Sequence, residues 1–251
     1  MNTTLLAFIL ATFAGFATMI GTIPIFFRHL QEEKILTIAL SFASGVMIAV
    51  SFTDLIPESL TLFHHTYTST FSMLLMSTFA VLGIICSMLI DKYLPNQSTH
   101  NHKQLYRVGL FAMIAIILHN IPEGIATFMA SSSNTKLGIS LAIAIALHNI
   151  PEGISISVPI YYATKKKKTA LGYTVLSGIS EPFGALLAFL FLSPFMSDTI
   201  MAMLFAMIAG IMIHIAIYEL APTAWCYQKR KLFCCSFAFG VLFMLINHFC
   251  F

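Results

Sequence analysis

Apolar runs long enough to cross about 30 Å of hydrocarbon, which takes roughly 20 helical residues, succeed one another along this chain with only short polar connections. They can be placed at about 4–27, 35–60, 69–90, 107–130, 137–162, 169–192, 199–224 and 232–251. Inside a bilayer only a helix or a closed barrel satisfies its own backbone polar groups, and runs of this length select the helix. The 251 residues are 58% hydrophobic and 9% charged, whereas about a quarter of an ordinary soluble domain is charged. The expectation is an all-α integral membrane protein, a single transmembrane domain over 1–251 with eight transmembrane helices.

Met1-Asn2-Thr3-Thr4 carries no basic segment, and the first apolar run is too long for a signal-peptide core, so it reads as a retained span. The five cysteines lie in or beside the apolar runs without a Cys-x-x-Cys pair, and read as small core hydrophobes rather than a disulfide framework.

Lys and Arg set the orientation. Arg28 and Lys34 fall in the first connection, Lys92, Lys103 and Arg107 in the third, Lys165 to Lys168 in the fifth, and Lys229, Arg230 and Lys231 in the seventh. Only Lys136 lies in an even-numbered connection. The odd connections are therefore expected in the cytoplasm and both termini on the extracytoplasmic side. The lysine run is then a membrane anchor, and no nucleic-acid partner is implied.

Seven residues occur twice, His119-Asn120-Ile121-Pro122-Glu123-Gly124-Ile125 and His148-Asn149-Ile150-Pro151-Glu152-Gly153-Ile154, each near the middle of an apolar run. Helical residues four apart share a face about 6 Å apart along the axis, so His119 with Glu123 and His148 with Glu152 form matching pairs. Glu181 lies near the centre of the sixth run. An isolated acid at the bilayer centre costs roughly 2.5–3.5 kcal/mol, and a divalent cation would compensate three of them. Imidazole and carboxylate without thiolate suits zinc, iron and similar first-row ions, and a carrier must release its cargo. Asn120 and Asn149 project about 100° round the helix from the histidines. They define, with Glu181, a second ion position bridged to the first by Glu123 and Glu152.

The two copies lie on consecutive, antiparallel spans. A weaker echo pairs Asp54-Leu55-Ile56-Pro57 on the second span with Glu219-Leu220-Ala221-Pro222 on the seventh. Three spans, an antiparallel pair and three more fit a 3+2+3 inverted-repeat arrangement with a midplane site, in which helices four and five are broken at Pro122 and Pro151. Asp54, Glu58 and Glu219 then flank an access path, with a solvated helix end the alternative for Asp54 and Glu58. Met47 is a further candidate beside it, against ordinary core packing. His64-His65 and His100-Asn101-His102 read as loop residues.

The paired His-Asn-x-Pro-Glu-Gly segments resemble the signatures of the ZIP (Zrt/Irt-like) family of divalent-metal transporters, and the likeness extends over the whole chain. Ile125-Ala126-Thr127-Phe128, Ser131-Ser132-Ser133-Asn134, Ser177-Gly178-Ile179-Ser180-Glu181 and Glu219-Leu220-Ala221-Pro222 carry a narrower resemblance to the family's bacterial zinc importers. The resemblance implies uptake of zinc, and often iron, manganese, cobalt or cadmium, across the bacterial inner membrane. His119, Glu123, His148 and Glu152 become primary ligands, and Asn120, Asn149 and Glu181 the second-ion set, with Met47 a contributor. One helix bundle slides against another in the mechanism favoured for such proteins. The 95–106 connection is short with only His100 and His102, unlike the long histidine-rich loop of many members. No catalytic cofactor and no enzyme activity are expected. The rival reading, an intramembrane metal-dependent hydrolase, lacks His-Glu-x-x-His. The oligomeric state stays open, a homodimer included.

Overall fold

The computed structural model describes residues 3–26, 32–93, 102–192 and 195–250, with helices, short turns and no strand among them. Arg28, His100 and Asn101 lie outside the described residues, as does the side chain of His102. Eight helices among the described residues are long and apolar enough to span a bilayer. They are α1 Thr3–Phe26, α2 Glu32–His64, α3 Ser69–Tyr93, α4 Lys103–Ser133, α5 Thr135–Thr164, α6 Lys167–Leu192, α7 Asp198–Trp225 and α8 Arg230–Cys250.

Short polar side chains set several boundaries. Asn134 alone separates α4 from α5, and its Oδ1 accepts the backbone N–H groups of Lys136 at 2.9 Å and Leu137 at 3.3 Å, satisfying donors that a helix start leaves orphaned. Lys165, at φ 56°, turns the chain into the left-handed region and ends α5 before the remaining lysines. Ser197 caps α7 through its Oγ.

The helices divide into two bundles. In one, α1 packs on α4, α5 and α6, with α4 laid along both α5 and α6; in the other, α2 packs on α8, α3 on α7, and α2 on α7. The bundles meet mainly where α2 crosses α5 and α7 crosses α4. Helices α3 and α8 are outermost, with only 11% and 17% of their apolar windows buried, against 78% for α2 and 72% for α4.

Close backbone approaches repeat in register between the two halves. Lipid supplies no hydrophobic drive between helices, so small residues that let backbones touch decide where they cross. A Cβ on Gly15 would stand 2.4 Å from the Gly178 carbonyl oxygen, and one on Gly178 2.5 Å from that of Gly15. Gly124 meets the Glu181 carbonyl as Gly153 meets that of Thr18, each at 1.9 Å from such a Cβ. Gly184 meets the Ile121 carbonyl as Gly21 meets that of Ile150. In the second bundle Gly45 lies on Phe237 as Gly210 lies on Ala80, and Gly83 on Met207 as Gly240 on Phe42. Residues 15, 18 and 21 thus match 178, 181 and 184 at one constant offset. Residues 42, 45 and 54 match 207, 210 and 219 at a second, and 80 and 83 match 237 and 240 at a third. The 3+2+3 inverted repeat is written in these contacts.

Helices α4 and α5 do not break at Pro122 and Pro151, contrary to the sequence expectation. Each continues as one α-helix through its proline. A proline removes a single helical hydrogen bond, and the backbone contacts at Ile121, Gly124, Ile150 and Gly153 clamp the helix on both sides of the defect. Irregularity falls elsewhere. Ser51–Leu55 and Ile215–Leu220 are π-helical turns leading into Pro57 and Pro222, where the wider turn relieves the ring's clash with the preceding carbonyls. The segment Thr18–Phe26 around Pro24 is a 3₁₀ helix.

Candidate metal centre

The α4–α5 pair brings its two identical segments face to face. Glu123 Oε1 lies 2.9 Å from His148 Nε2 and 3.0 Å from His119 Nε2, and Glu152 Oε1 lies 3.4 Å from His119 Nε2. The imidazole centroids are 6.3 Å apart. Ligand atoms of His119, Glu123 and His148 all fall within 4.8 Å of one another, close enough to share an ion. All four side chains are buried.

Glu181 reaches the same cluster from α6 and accepts a hydrogen bond at Oε2 from Asn149 Nδ2, 2.8 Å away. The asparagines are held alike: Asn149 Nδ2 donates to the Ala14 carbonyl at 2.9 Å, and Asn120 Nδ2 to the Ser177 carbonyl at 3.1 Å. Ala14 and Ser177 are repeat mates, so each half anchors the other's amide. Glu181 breaks the symmetry, since its mate is Thr18, whose hydroxyl donates to the Gly15 carbonyl at 2.7 Å.

The unpartnered atoms give the chemistry. Beyond the ion-pair contacts of His119 Nε2 with Glu123 Oε1 and Glu152 Oε1, the atoms His119 Nδ1, Glu152 Oε2, Glu123 Oε2, Glu181 Oε1 and Oδ1 of Asn120 and Asn149 are buried without a hydrogen-bond partner. Leaving one buried polar group unsatisfied costs about 1–3 kcal/mol, and nearly all of these are lone-pair atoms at one place. A cation between His119, Glu123 and His148 would occupy lone pairs there at once, whereas additional protein donors would have to be supplied one by one.

The access-path candidates stand apart from this cluster. Asp54 pairs with His248 of α8 (Oδ1 to Nδ1 2.6 Å), and Glu58 is exposed one turn further along α2. Glu219, near the opposite end of the fold, lies 3.3 Å from Arg107 Nη1. Met47 is buried in the largest apolar cluster, with Ile116 and Met212 among its members. His65 is an exposed residue paired with Asp198.

Sequence reasoning missed a cluster of four residues at the Glu219 end of the fold. Arg107, counted only as an orientation marker, also contacts Asp91 of α3, and His214 Nδ1 lies 2.9 Å from Ser87 Oγ. The available signal was the repeat itself: at the offsets set by the glycine contacts Asp91 matches His248, Glu219 matches Asp54, and Arg107 matches Lys136.

The fold and cluster define a multi-pass membrane protein built as an inverted repeat around a buried cluster of carboxylate, imidazole and amide groups, a candidate metal centre. The ZIP zinc transporter family model matches residues 2–107 and 95–248, and the chain belongs to that family. Among curated relatives it is 42% identical to the zinc transporter ZupT of Campylobacter jejuni, over 89% of each chain. It is 39% identical to ZupT of Lysinibacillus sphaericus, over 97% of this chain and 96% of the relative. Against ZupT of Streptococcus mutans the figure is 38%, over 96% of each. These bacterial zinc transporters agree with the narrower resemblance carried by the Ile125–Phe128 and Ser177–Glu181 segments.

Proposed function

We propose that this chain imports divalent transition-metal cations, zinc foremost, into the cytoplasm, with His119, Glu123, His148 and Glu152 as primary ligands. The observation that carries the reading is the set of buried, unpartnered lone-pair atoms gathered by two identical segments. Iron, manganese, cobalt and cadmium suit the same donors, because oxygen and imidazole discriminate little among them.

Asn120, Asn149 and Glu181 form the second ion position, with Glu123 and Glu152 between the two. One divalent ion leaves three ionised carboxylates with a net charge of −1 and two leave +1, so the second binds more weakly. The basic connections face the cytoplasm and both termini face outward across the bacterial inner membrane. Residues 1–251 act as one transport unit, and sliding of the α1/α4/α5/α6 bundle against the other exposes the site alternately. Asp54 and Glu58 then serve the entrance and Glu219 the exit, with Met47 beside the path. The same residues carry an ion rather than catalyse a hydrolysis. Every ligand comes from one chain, so a homodimer would hold two separate sites.

The test is zinc uptake into proteoliposomes, with unlabelled metals as competitors to rank the cargo. His148→Ala and Glu152→Ala are each expected to abolish saturable uptake at normal protein abundance. Near-normal uptake by both removes these residues from the transport site.

A further inference from the structure

The mouth of the fold nearest Glu219 holds a fixed cation that the transport reading leaves without a task. Arg107 rises from α4, in the first bundle, and its guanidinium reaches across to two acids of the second. Nη2 contacts Asp91 Oδ1 and lies 3.4 Å from the Asp91 carbonyl oxygen, while Nη1 lies 3.3 Å and 3.5 Å from the Glu219 carboxylate oxygens. The Arg107 side chain is 15% exposed and that of Glu219 8%. Helix α4 otherwise barely touches α3, so this contact spans the gap between bundles. A second cross-bundle pair at the same end, Lys165 to Glu32 at 2.7 Å, is half-exposed and contributes little.

The repeat supplies a comparison within the same chain. At the opposite mouth the mates of Glu219 and Asp91 are Asp54 and His248, joined directly at 2.6 Å. The mate of Arg107 is Lys136, which is exposed at the start of α5 and enters no ion pair among the described residues. Both ends carry these mated groups on the second bundle, and among the described residues only the Asp91–Glu219 set is bridged by a cation from the first.

We propose that Arg107 is the gate of the inner mouth: it closes that mouth by bridging Asp91 and Glu219, and is released when a departing divalent ion takes over the carboxylates. Withdrawing one partner from a largely buried ion pair leaves uncompensated charge, so the bridge holds while nothing replaces it. A divalent ion brings two charges to the acids where the guanidinium brought one. A monovalent ion brings no more charge than Arg107 and must compete against a group held in place by its own helix, at high effective concentration. The gate therefore opens to the cargo and stays shut to sodium and potassium.

This rests on the import reading for its direction, but its test needs no transport. In a chain with the native cysteines replaced, Ser87→Cys lies buried one turn from Asp91. Its labelling by an impermeant maleimide is measured in inside-out vesicles without metal. Arg107→Met is expected to speed labelling about tenfold, equivalent to about 1.4 kcal/mol of closure, and Arg107→Lys to restore slow labelling. The double variant Asp91→Asn/Glu219→Gln, which removes the other half of the bridge, is expected to label as fast as Arg107→Met. Added zinc should speed labelling of the parent and leave Arg107→Met unchanged, while added potassium changes neither. Equal labelling of parent, Arg107→Met and the double variant, or Arg107→Lys labelling as fast as Arg107→Met, overturns the gate. Loss of uptake in the His148 and Glu152 variants bears on the import reading alone.

Discussion

Glu181 is the one acid of the central cluster that has no counterpart in the repeat, and its surroundings differ accordingly. Glu123 and Glu152 approach imidazole nitrogens, whereas Glu181 is held through an amide, Asn149 Nδ2. A Gln carbonyl oxygen accepts that hydrogen bond as well, so Glu181→Gln changes charge with little change of shape. The variant is expected to transport with altered rate or metal preference, and to bind one zinc per chain in detergent where the parent binds two, by elemental analysis. Complete loss of uptake in a stably expressed variant places Glu181 in the primary site. At this scale the sequence was informative because the His-x-x-x-Glu pairs are local: residues four apart on a helix are neighbours whatever surrounds them.

At the scale of the element, the prolines show why local reading stops short. Pro122, Pro151, Pro182 and Pro222 all lie within transmembrane helices, yet only the stretch before Pro222, like that before Pro57, widens to a π-turn. What decides is the packing on either side, and glycine contacts provide most of it in α4 and α5. Gly153→Ala puts a methyl 1.9 Å from the Thr18 carbonyl oxygen and forces α1 from α5. Overpacking of this kind costs about 1–3 kcal/mol. A lower unfolding temperature in detergent and weaker zinc binding are expected together, because His148 and Glu152 ride on the displaced helix. Gly172→Ala has nothing within 4 Å of its new methyl and is expected to be neutral or to stabilise by about 0.5–1 kcal/mol through helix propensity. If both variants melt alike, the close approach is not what sets the α1–α5 distance.

For the whole molecule, direction of transport depends on which end faces the cytoplasm. In the proposed orientation, which rests on the asymmetry of Lys and Arg, the α4–α5 turn lies outside and the lysine run after α5 inside. In a chain without its native cysteines, Ser132→Cys is expected to react with an impermeant maleimide added to intact cells, and Lys166→Cys only after the membrane is opened. The reverse pattern inverts the orientation and turns import into export. The two-bundle division also predicts that motion between bundles is largest where contacts are fewest, at the α3–α4 gap that Arg107 spans.

By itself the sequence determined the eight spans, the duplicated His-x-x-x-Glu pairs and the residue types that could neutralise a cation at the centre of a bilayer. Those follow from hydropathy and helical spacing, which depend on neighbours within a few residues. The tertiary structure alone decided that α4 and α5 run unbroken, that Asn120 and Asn149 are anchored to the carbonyls of Ser177 and Ala14, and that Arg107 closes on Asp91 and Glu219. Each joins segments well apart in the chain or depends on a neighbouring helix. Pairings of that kind are chosen by which backbones can approach at glycine, and a single sequence does not state which glycine meets which carbonyl.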